Sequence, residues 1–333
     1  MSRDARIAVG VAGASGYAGQ ELMRLLAGHP HVRLTSAMGS SASSPSRSLP
    51  ALARVWDGEI VPLDLDALAR DAQAVFLALP EDASAEVAPG LLARGLRVFD
   101  LSGAFRLRDA ADRARWYPKA TGLPEGSTYG LTEQYRDALP SARLIACPGC
   151  YPTPAVLALA PLVQAGLLRD GIVIDAKSGV SGAGKAPSER THFSECHGSV
   201  SAYGVFAHRH AAEIEQELGQ PVTFVPHLVP LDRGILETIY AGLRPGADDQ
   251  TIAAAYARAY AASPFVRITH GALPVVKHVA WTNFCDIGWK VDAGSDRLVI
   301  VACIDNLLKG AAGQAVQNFN LAFGFDEREG LWR

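Results

Sequence analysis

Cys150 is the residue of this sequence best placed to do chemistry. It stands in Cys147-Pro148-Gly149-Cys150-Tyr151-Pro152-Thr153-Pro154, after an apolar strand and ahead of a helix expected over 155–168. A thiol there meets the positive end of a helix dipole and free N–H groups, which lower its pKa and prepare a thiolate nucleophile. The C-x-x-C spacing also suits zinc or a redox pair. No second pair exists, because Cys196, Cys285 and Cys303 stand alone, so no metal site is expected. A plain structural cysteine is the remaining alternative. Cys147 ends the strand and reads as buried and inert. The second reactive group is His208-Arg209-His210, just before the amphipathic run 211–218. A helix N-terminus disfavours imidazolium, so a histidine there suits general-base work.

Two glycine-rich loops could hold anions. Gly10-Val11-Ala12-Gly13-Ala14-Ser15-Gly16-Tyr17-Ala18-Gly19 lies between the first strand and the first helix. That position suits a tight turn whose backbone approaches a pyrophosphate, with helix N–H groups aimed at it. Gly13, Ser15, Gly16, Tyr17 and Ala18 are the expected contacts; the alternative is a turn needed only for packing. An NAD site usually places an Asp or Glu about 20 residues on. Here Thr35-Ser36-Ala37-Met38-Gly39-Ser40-Ser41 holds no acid, and Ser40 with Arg47 would suit a 2′-phosphate. NADP is therefore the expected cofactor. The second loop, Lys177-Ser178-Gly179-Val180-Ser181-Gly182-Ala183-Gly184-Lys185, could cradle a phosphate or admit a nicotinamide at Ser181 and Gly182, with Ser178 and Lys185 toward substrate. A flexible turn is the alternative. Ser102-Gly103-Ala104-Phe105-Arg106 ends a strand at the sheet edge where α/β folds bind ligands. Arg106 there could hold a carboxylate or phosphate, or be a surface arginine.

These residues need a frame. Apolar runs at 6–12, 32–37, 74–79, 97–101 and 143–146 alternate with helical stretches at 20–27 and 84–94, the latter despite Pro89. Repeated βα units with near-continuous apolar strands imply a parallel sheet covered on both faces. Strands at 172–176, 222–225, 235–243, 279–291 and 298–304 are longer, and several alternate apolar with polar. That pattern predicts an α+β second domain with a mainly antiparallel sheet. Residues 40–50 are Ser/Pro-rich and read as a loop. A last helix is expected over 307–323.

Composition bounds the rest. At 333 residues, 49% apolar and 20% charged, the chain can bury a large core and fits about two domains. Its net charge of −3 argues against a nucleic-acid binder. No run is long enough to span a membrane, and no secretory signal is read. Five cysteines, without such a signal, fit reduced thiols in the cytoplasm.

The motifs, taken together, resemble the N-acetyl-γ-glutamyl-phosphate reductase family of arginine biosynthesis, itself similar to aspartate-semialdehyde dehydrogenase. The matching stretches are 13–19, 101–106, 148–153, 178–184, 208–210, Pro226-His227-Leu228 with Arg233-Gly234-Ile235, and Asp305-Asn306-Leu307-Leu308-Lys309-Gly310-Ala311-Ala312. The resemblance spans residues 8–320 in the family's order. It implies a Rossmann NADP domain over 1–149 and 307–333, and a catalytic and oligomerisation domain over 150–306. It assigns Cys150 as nucleophile and the His208/His210 pair as acid/base, with His210 favoured at the helix start. The reaction implied is NADPH-dependent reduction of a small acyl phosphate through a cysteine thioester. Asn306 is expected to orient the nicotinamide, and Ser102, Arg106, Ser178 and Lys185 to face the substrate. Many members carry Asp where this chain has Ala104, so no substrate role is transferred to that position. The family suggests a homotetramer or homodimer. Two alternatives stand beside this reading: a related dehydrogenase acting on another acyl phosphate (aspartyl, or carrier-linked aminoadipyl or glutamyl), and a catalytically silent NADP-binding sensor.

Overall fold

A computed structural model of the chain describes residues 6–332. It contains two compact units. One comprises the chain up to Pro148 together with the segment from Ala311 onward, and the other is Gly149–Gly310. No described helix is long and apolar enough to cross a membrane.

The first unit is built on six parallel strands: β1 (Ile7–Ala12), β2 (Val32–Met38), β3 (Ala74–Leu77), β4 (Arg97–Asp100), β5 (Ser127–Tyr129) and β6 (Leu144–Ala146). Their order is β2-β1-β3-β4-β6-β5. The central strands β3 and β6 are buried at every position, which is why their sequences are unbroken apolar runs. Helix α1 (Tyr17–Ala27) turns Leu22, Leu25 and Leu26 into the core. Helix α2 (Glu81–Ala93) starts on Pro80 and runs through Pro89. Within the serine-rich loop, Arg47–Ser48 pairs with Glu59–Ile60 as a small ribbon that the sequence did not announce.

The second unit carries β7 (Val173–Gly179), β8 (Ser201–Ala202), β9 (Thr223–Val229), β10 (Ile235–Gly242), β11 (Val266–Ile268), β12 (Cys285–Val291) and β13 (Arg297–Ile304), in the order β8-β9-β7-β10-β13-β12-β11. The expectation of a mainly antiparallel sheet holds only in part: the sheet is mixed. β7 runs parallel to β9, and β11 to β12, while the other neighbours are antiparallel. Both parallel pairs are joined by long connections containing helical segments, which is what parallel pairing requires. Alternating burial along β7, β9 and β10 leaves one face half-exposed.

Helix α3 spans Pro152–Gln164, not 155–168. Prolines are tolerated in a first turn, so Pro152 and Pro154 start the helix rather than delay it. Pro161, inside α3, has no N–H to give the Leu157 carbonyl. Tyr260 satisfies that carbonyl, and Tyr256 donates to Ala158 at 2.6 Å, both from α5 (Asp249–Tyr260), which follows α4 (Arg209–Leu218). The strand expected over 279–291 begins only at Cys285. Val276–Val279 form a helical turn, and Trp281, at φ +67°, breaks the extended chain.

The last helix also differs from expectation. Leu308–Ala312 forms a π turn, and α6 proper is Gly313–Ala322. Within the first unit α6 buries Gln314, Gln317, Asn318 and Asn320 completely. Asn318 Nδ2 donates to the Gly130 carbonyl at 2.7 Å, Thr132 Oγ1 donates to Asn318 Oδ1 at 2.6 Å, and Asn320 Oδ1 lies 2.8 Å from His29 Nε2. These paired amides set the register of the returning helix.

Candidate active site

Cys150 lies in the tight turn ahead of α3, half-buried and reduced. The helix supplies its dipole but few of the free donors expected from sequence. Pro152 and Pro154 carry no N–H, and the Thr153 and Ala155 N–H groups bond the carbonyls of Gly149 and Tyr151 at 3.0 and 3.3 Å. The backbone just before Cys150 is instead held from α4: Gly149 N–H donates to Glu213 Oε1 at 2.8 Å, and Glu213 is wholly buried. Sequence reasoning missed Glu213. Its only signal was an acid one helical turn after His210, on the face carrying Ile214 and Leu218 into the core.

Both histidines belong to this same α4 terminus. His208 is the N-cap, and its Nδ1 accepts the His210 N–H at 3.2 Å. Burial lowers the His208 pKa to about 4, with Arg209 and Arg190 adding to the effect. His208 is therefore neutral at physiological pH, with Nδ1 engaged as an acceptor. The two rings lie 4.8 Å apart, and each is 5.9 Å from the Tyr151 ring. The Tyr151 hydroxyl donates to the His227 carbonyl at 3.0 Å and sits 3.3 Å from the Tyr203 hydroxyl. Burial pushes both phenols up, and a charge on Cys150 would push them further, so both stay protonated beside Cys150. The Arg190 guanidinium covers the Tyr203 ring at 4.5 Å. Tyr203 and Arg190 lie in stretches with no motif character, and only folding brings them here.

The second glycine loop forms a 3-10 turn, Val180–Ala183, after β7. Asn306 braces it: Oδ1 accepts the Gly234 N–H at 2.6 Å, and Nδ2 donates to Ser181 Oγ at 3.0 Å. Asn306 is 2% exposed, so these bonds make it a bracket for the loop that contains Ser181 and Gly182. Ser178 is buried, its hydroxyl donating to the Gly179 carbonyl at 3.0 Å, and Lys185 is exposed.

In the first unit, Gly13 turns at φ +80°, and a β-carbon there would lie 2.2 Å from the Ala78 carbonyl oxygen, so only glycine fits. Gly16 caps α1 with no side-chain hydrogen bond, and no acid stands in the first turn. The N–H groups of Tyr17 and Ala18 are thus without a side-chain cap, which fits a dinucleotide's pyrophosphate. Ser15 is half-buried, its carbonyl accepting from Gln20 Nε2 at 2.9 Å. Val61 N–H donates to Ala37, and Gly39 N–H to Val61, stitching the Arg47 ribbon to the end of β2. Ser40 and Arg47 are both exposed beside that strand end, and the arrangement fits an added 2′-phosphate.

Ser102 and Arg106 are turned to the protein itself. Ser102 Oγ donates to Asp100 at 2.7 Å and accepts the Ala104 N–H at 3.1 Å. Arg106 reaches the Cys147 and Leu101 carbonyls, each at 2.7 Å. At 6% and 7% exposure these side chains shape the loop after β4. Cys147 is fully buried, and burial pushes its thiol up to about 12.

Two family models match the chain: a semialdehyde dehydrogenase NAD-binding domain over residues 8–142, and a semialdehyde dehydrogenase dimerisation domain over residues 150–306. The N-acetyl-γ-glutamyl-phosphate reductase of Geobacillus stearothermophilus is 47% identical, with 97% of each chain covered. That of Shouchella clausii is 46% identical, again over 97% of each. Among solved structures, aspartate semialdehyde dehydrogenase II of Vibrio cholerae, complexed with ASA, matches with a TM-score of 0.73 at 16% identity over 96% of this chain and 98% of that one. The Candida albicans enzyme with NADP matches with a TM-score of 0.70 at 16% identity, over 95% and 98%. At such identity these structures speak for the fold.

Proposed function

The chain belongs to the N-acetyl-γ-glutamyl-phosphate reductase family, and from that premise we propose how its own residues carry the reaction. The protein reduces N-acetyl-γ-glutamyl phosphate to N-acetylglutamate 5-semialdehyde in arginine biosynthesis, releasing phosphate. NADPH, when bound, supplies the hydride.

The Cys150 thiolate attacks the γ-acyl carbon, the bond to the phosphate oxygen breaks, and a thioester remains on Cys150. A carboxylate is too poor an electrophile to accept hydride, and the thioester removes that obstacle. After reduction the carbon–sulfur bond breaks, which frees the aldehyde and returns Cys150 as thiolate. His210 takes the thiol proton, lends it to the oxygen of the tetrahedral species, and recovers it as that species collapses. His208, with Nδ1 spent on the His210 N–H, fixes the start of α4 and so the place of His210. Tyr151 and Tyr203 keep their protons and present hydroxyls close to the thiolate.

Gly13, Ser15, Gly16, Tyr17 and Ala18 would hold the pyrophosphate, and Ser40 with Arg47 the 2′-phosphate. Ser181 and Gly182 would border the nicotinamide, in a loop that Asn306 braces. Ser178 and Lys185 remain the substrate-side candidates in that loop. Ser102 and Arg106 serve the substrate by shaping the strand end on which it rests. The chain works as a homo-oligomer, dimer or tetramer, in the cytoplasm, where the thiol stays reduced.

One observation carries this reading: the peptide preceding Cys150 is bonded to the helix that begins with His208 and His210, so nucleophile and base share one frame. The reverse reaction tests it. Protein, N-acetylglutamate 5-semialdehyde, NADP and phosphate should give phosphate-dependent NADPH absorbance that vanishes in Cys150→Ala. Turnover with aspartate semialdehyde instead would move the substrate assignment, and no turnover with either would leave a silent NADP binder.

A further inference from the structure

Gly310 touches the nucleophile. A β-carbon built on it would lie 2.9 Å from Cys150 Cβ, 3.3 Å from Cys150 Cα and 3.1 Å from Ile304 Cδ1. Two β-carbons do not come that close, so any side chain at 310 must displace Cys150. The reason for glycine here is space alone. Gly310 is absent from the positive-φ glycines, so alanine suits the backbone, and within a helical turn alanine is ordinarily the more stabilising residue.

The contact depends on a specific distortion. Gly310 N–H donates to the Asp305 carbonyl at 3.0 Å, five residues back, within the π turn Leu308–Ala312. A regular α turn bonds four residues back, and the extra residue rotates the following positions around the axis. Single π turns gather at functional sites. Asp305 builds this one: its Oδ1 accepts the Leu307 and Leu308 N–H groups at 2.9 and 3.1 Å. Its Oδ2 is fixed in turn by Arg233 at 3.1 Å and by the Trp281 N–H at 2.7 Å.

We propose that Gly310 is a positioning residue for Cys150, the π turn seating bare backbone against the nucleophile so that its β-carbon and its choice of χ1 are fixed. Glu213 holds the peptide before the cysteine, and Gly310 walls the cysteine itself. The catalytic part of this proposal rests on Cys150 being the nucleophile.

The test is Gly310→Ala in the full-length protein. Turnover should fall about ten- to a hundredfold, as for displacements of an ångström or less, while KM stays within about twofold. Alkylation of Cys150 by iodoacetamide should slow in parallel across pH. Adding Ile304→Val, which removes the other crowding atom, should restore nothing; recovery would assign the loss to core packing and overturn the proposal. A melting-temperature cycle reads the contact without activity. Gly310→Ala should lower Tm beside Cys150 or Cys150→Ala, which both keep a β-carbon, and should lower it markedly less beside Cys150→Gly, where only the 3.1 and 3.3 Å contacts remain. If Gly310→Ala alone fails to fold, the double variant with Cys150→Gly should fold. Equal losses in every background, or failure of that double variant, overturn the contact. Retained turnover in Cys150→Ala would sink the nucleophile assignment separately, with the Tm cycle still reporting the contact.

Discussion

Glu213 Oε1 accepts the Gly149 N–H at 2.8 Å, tying the residue before Cys150 to the helix that presents both histidines. Both groups are buried, so removing the acceptor strands an N–H at a cost of about 1–3 kcal/mol. Glu213→Ala is expected to lose at least tenfold in turnover, while Glu213→Gln, which keeps an amide oxygen in reach, recovers most of it. Steady-state kinetics of the pair decide the matter; equal rates for Glu213→Ala and the parent would remove Glu213 from the mechanism.

His208 and His210 should separate by substitution. Asparagine is a good N-cap, so His208→Asn keeps the start of α4 and should retain most turnover. His210→Asn should lose about 10²–10⁴-fold and the acidic limb of its pH–rate profile, where protonation of the base shuts the parent down. The reverse ranking would hand the proton to His208.

His208 also sets a stability dependence. Its folded pKa of about 4 lies below the ordinary 6.5, so its neutral form stabilises the fold fully above pH 6.5. That contribution is lost as pH falls from there through about 4. Urea titrations should show stability declining across this window in the parent and a shallower decline in His208→Asn.

Glu237 behaves in the opposite sense. It is fully buried in β10, and neither carboxylate oxygen has a hydrogen-bond partner among the described residues. Burial raises its pKa well above the ordinary 4.5, partly countered by Lys177. The fold is favoured below pH 4.5 and loses stability as pH rises toward the elevated value. Glu237→Met, close in volume, should raise Tm, and more at pH 8 than at pH 4.5. A pH-independent change would contradict a buried, titrating carboxyl.

Arg47 is the proposed reader of the 2′-phosphate. Arg47→Ala should raise the KM for NADPH roughly tenfold, in line with about 1.5–3 kcal/mol for a charged hydrogen bond, and leave the KM for NADH nearly unchanged. A parallel rise for both cofactors would place Arg47 elsewhere.

Much of the molecule follows from local sequence. The continuous apolar strands of the first unit declare burial on both faces, and the glycines at 13, 16 and 19 mark a turn into a helix wherever they occur. Cys150 and His208-Arg209-His210 are recognisable because their chemistry is concentrated in a few adjacent residues. Tertiary structure decided the rest. Strand direction in the second sheet depends on how long connections cross it, which residue periodicity does not encode. The prolines that open α3 take away the donors that a generic helix N-terminus would offer Cys150. Glu213, Tyr203, Arg190 and Gly310 are ordinary residues in ordinary local settings, and they acquire meaning only where the chain brings them against Cys150 and the histidines. Ser102, Arg106 and Asn306 show the converse. Their types advertise ligand binding, yet their buried polar atoms must be hydrogen-bonded, and the fold satisfies them internally.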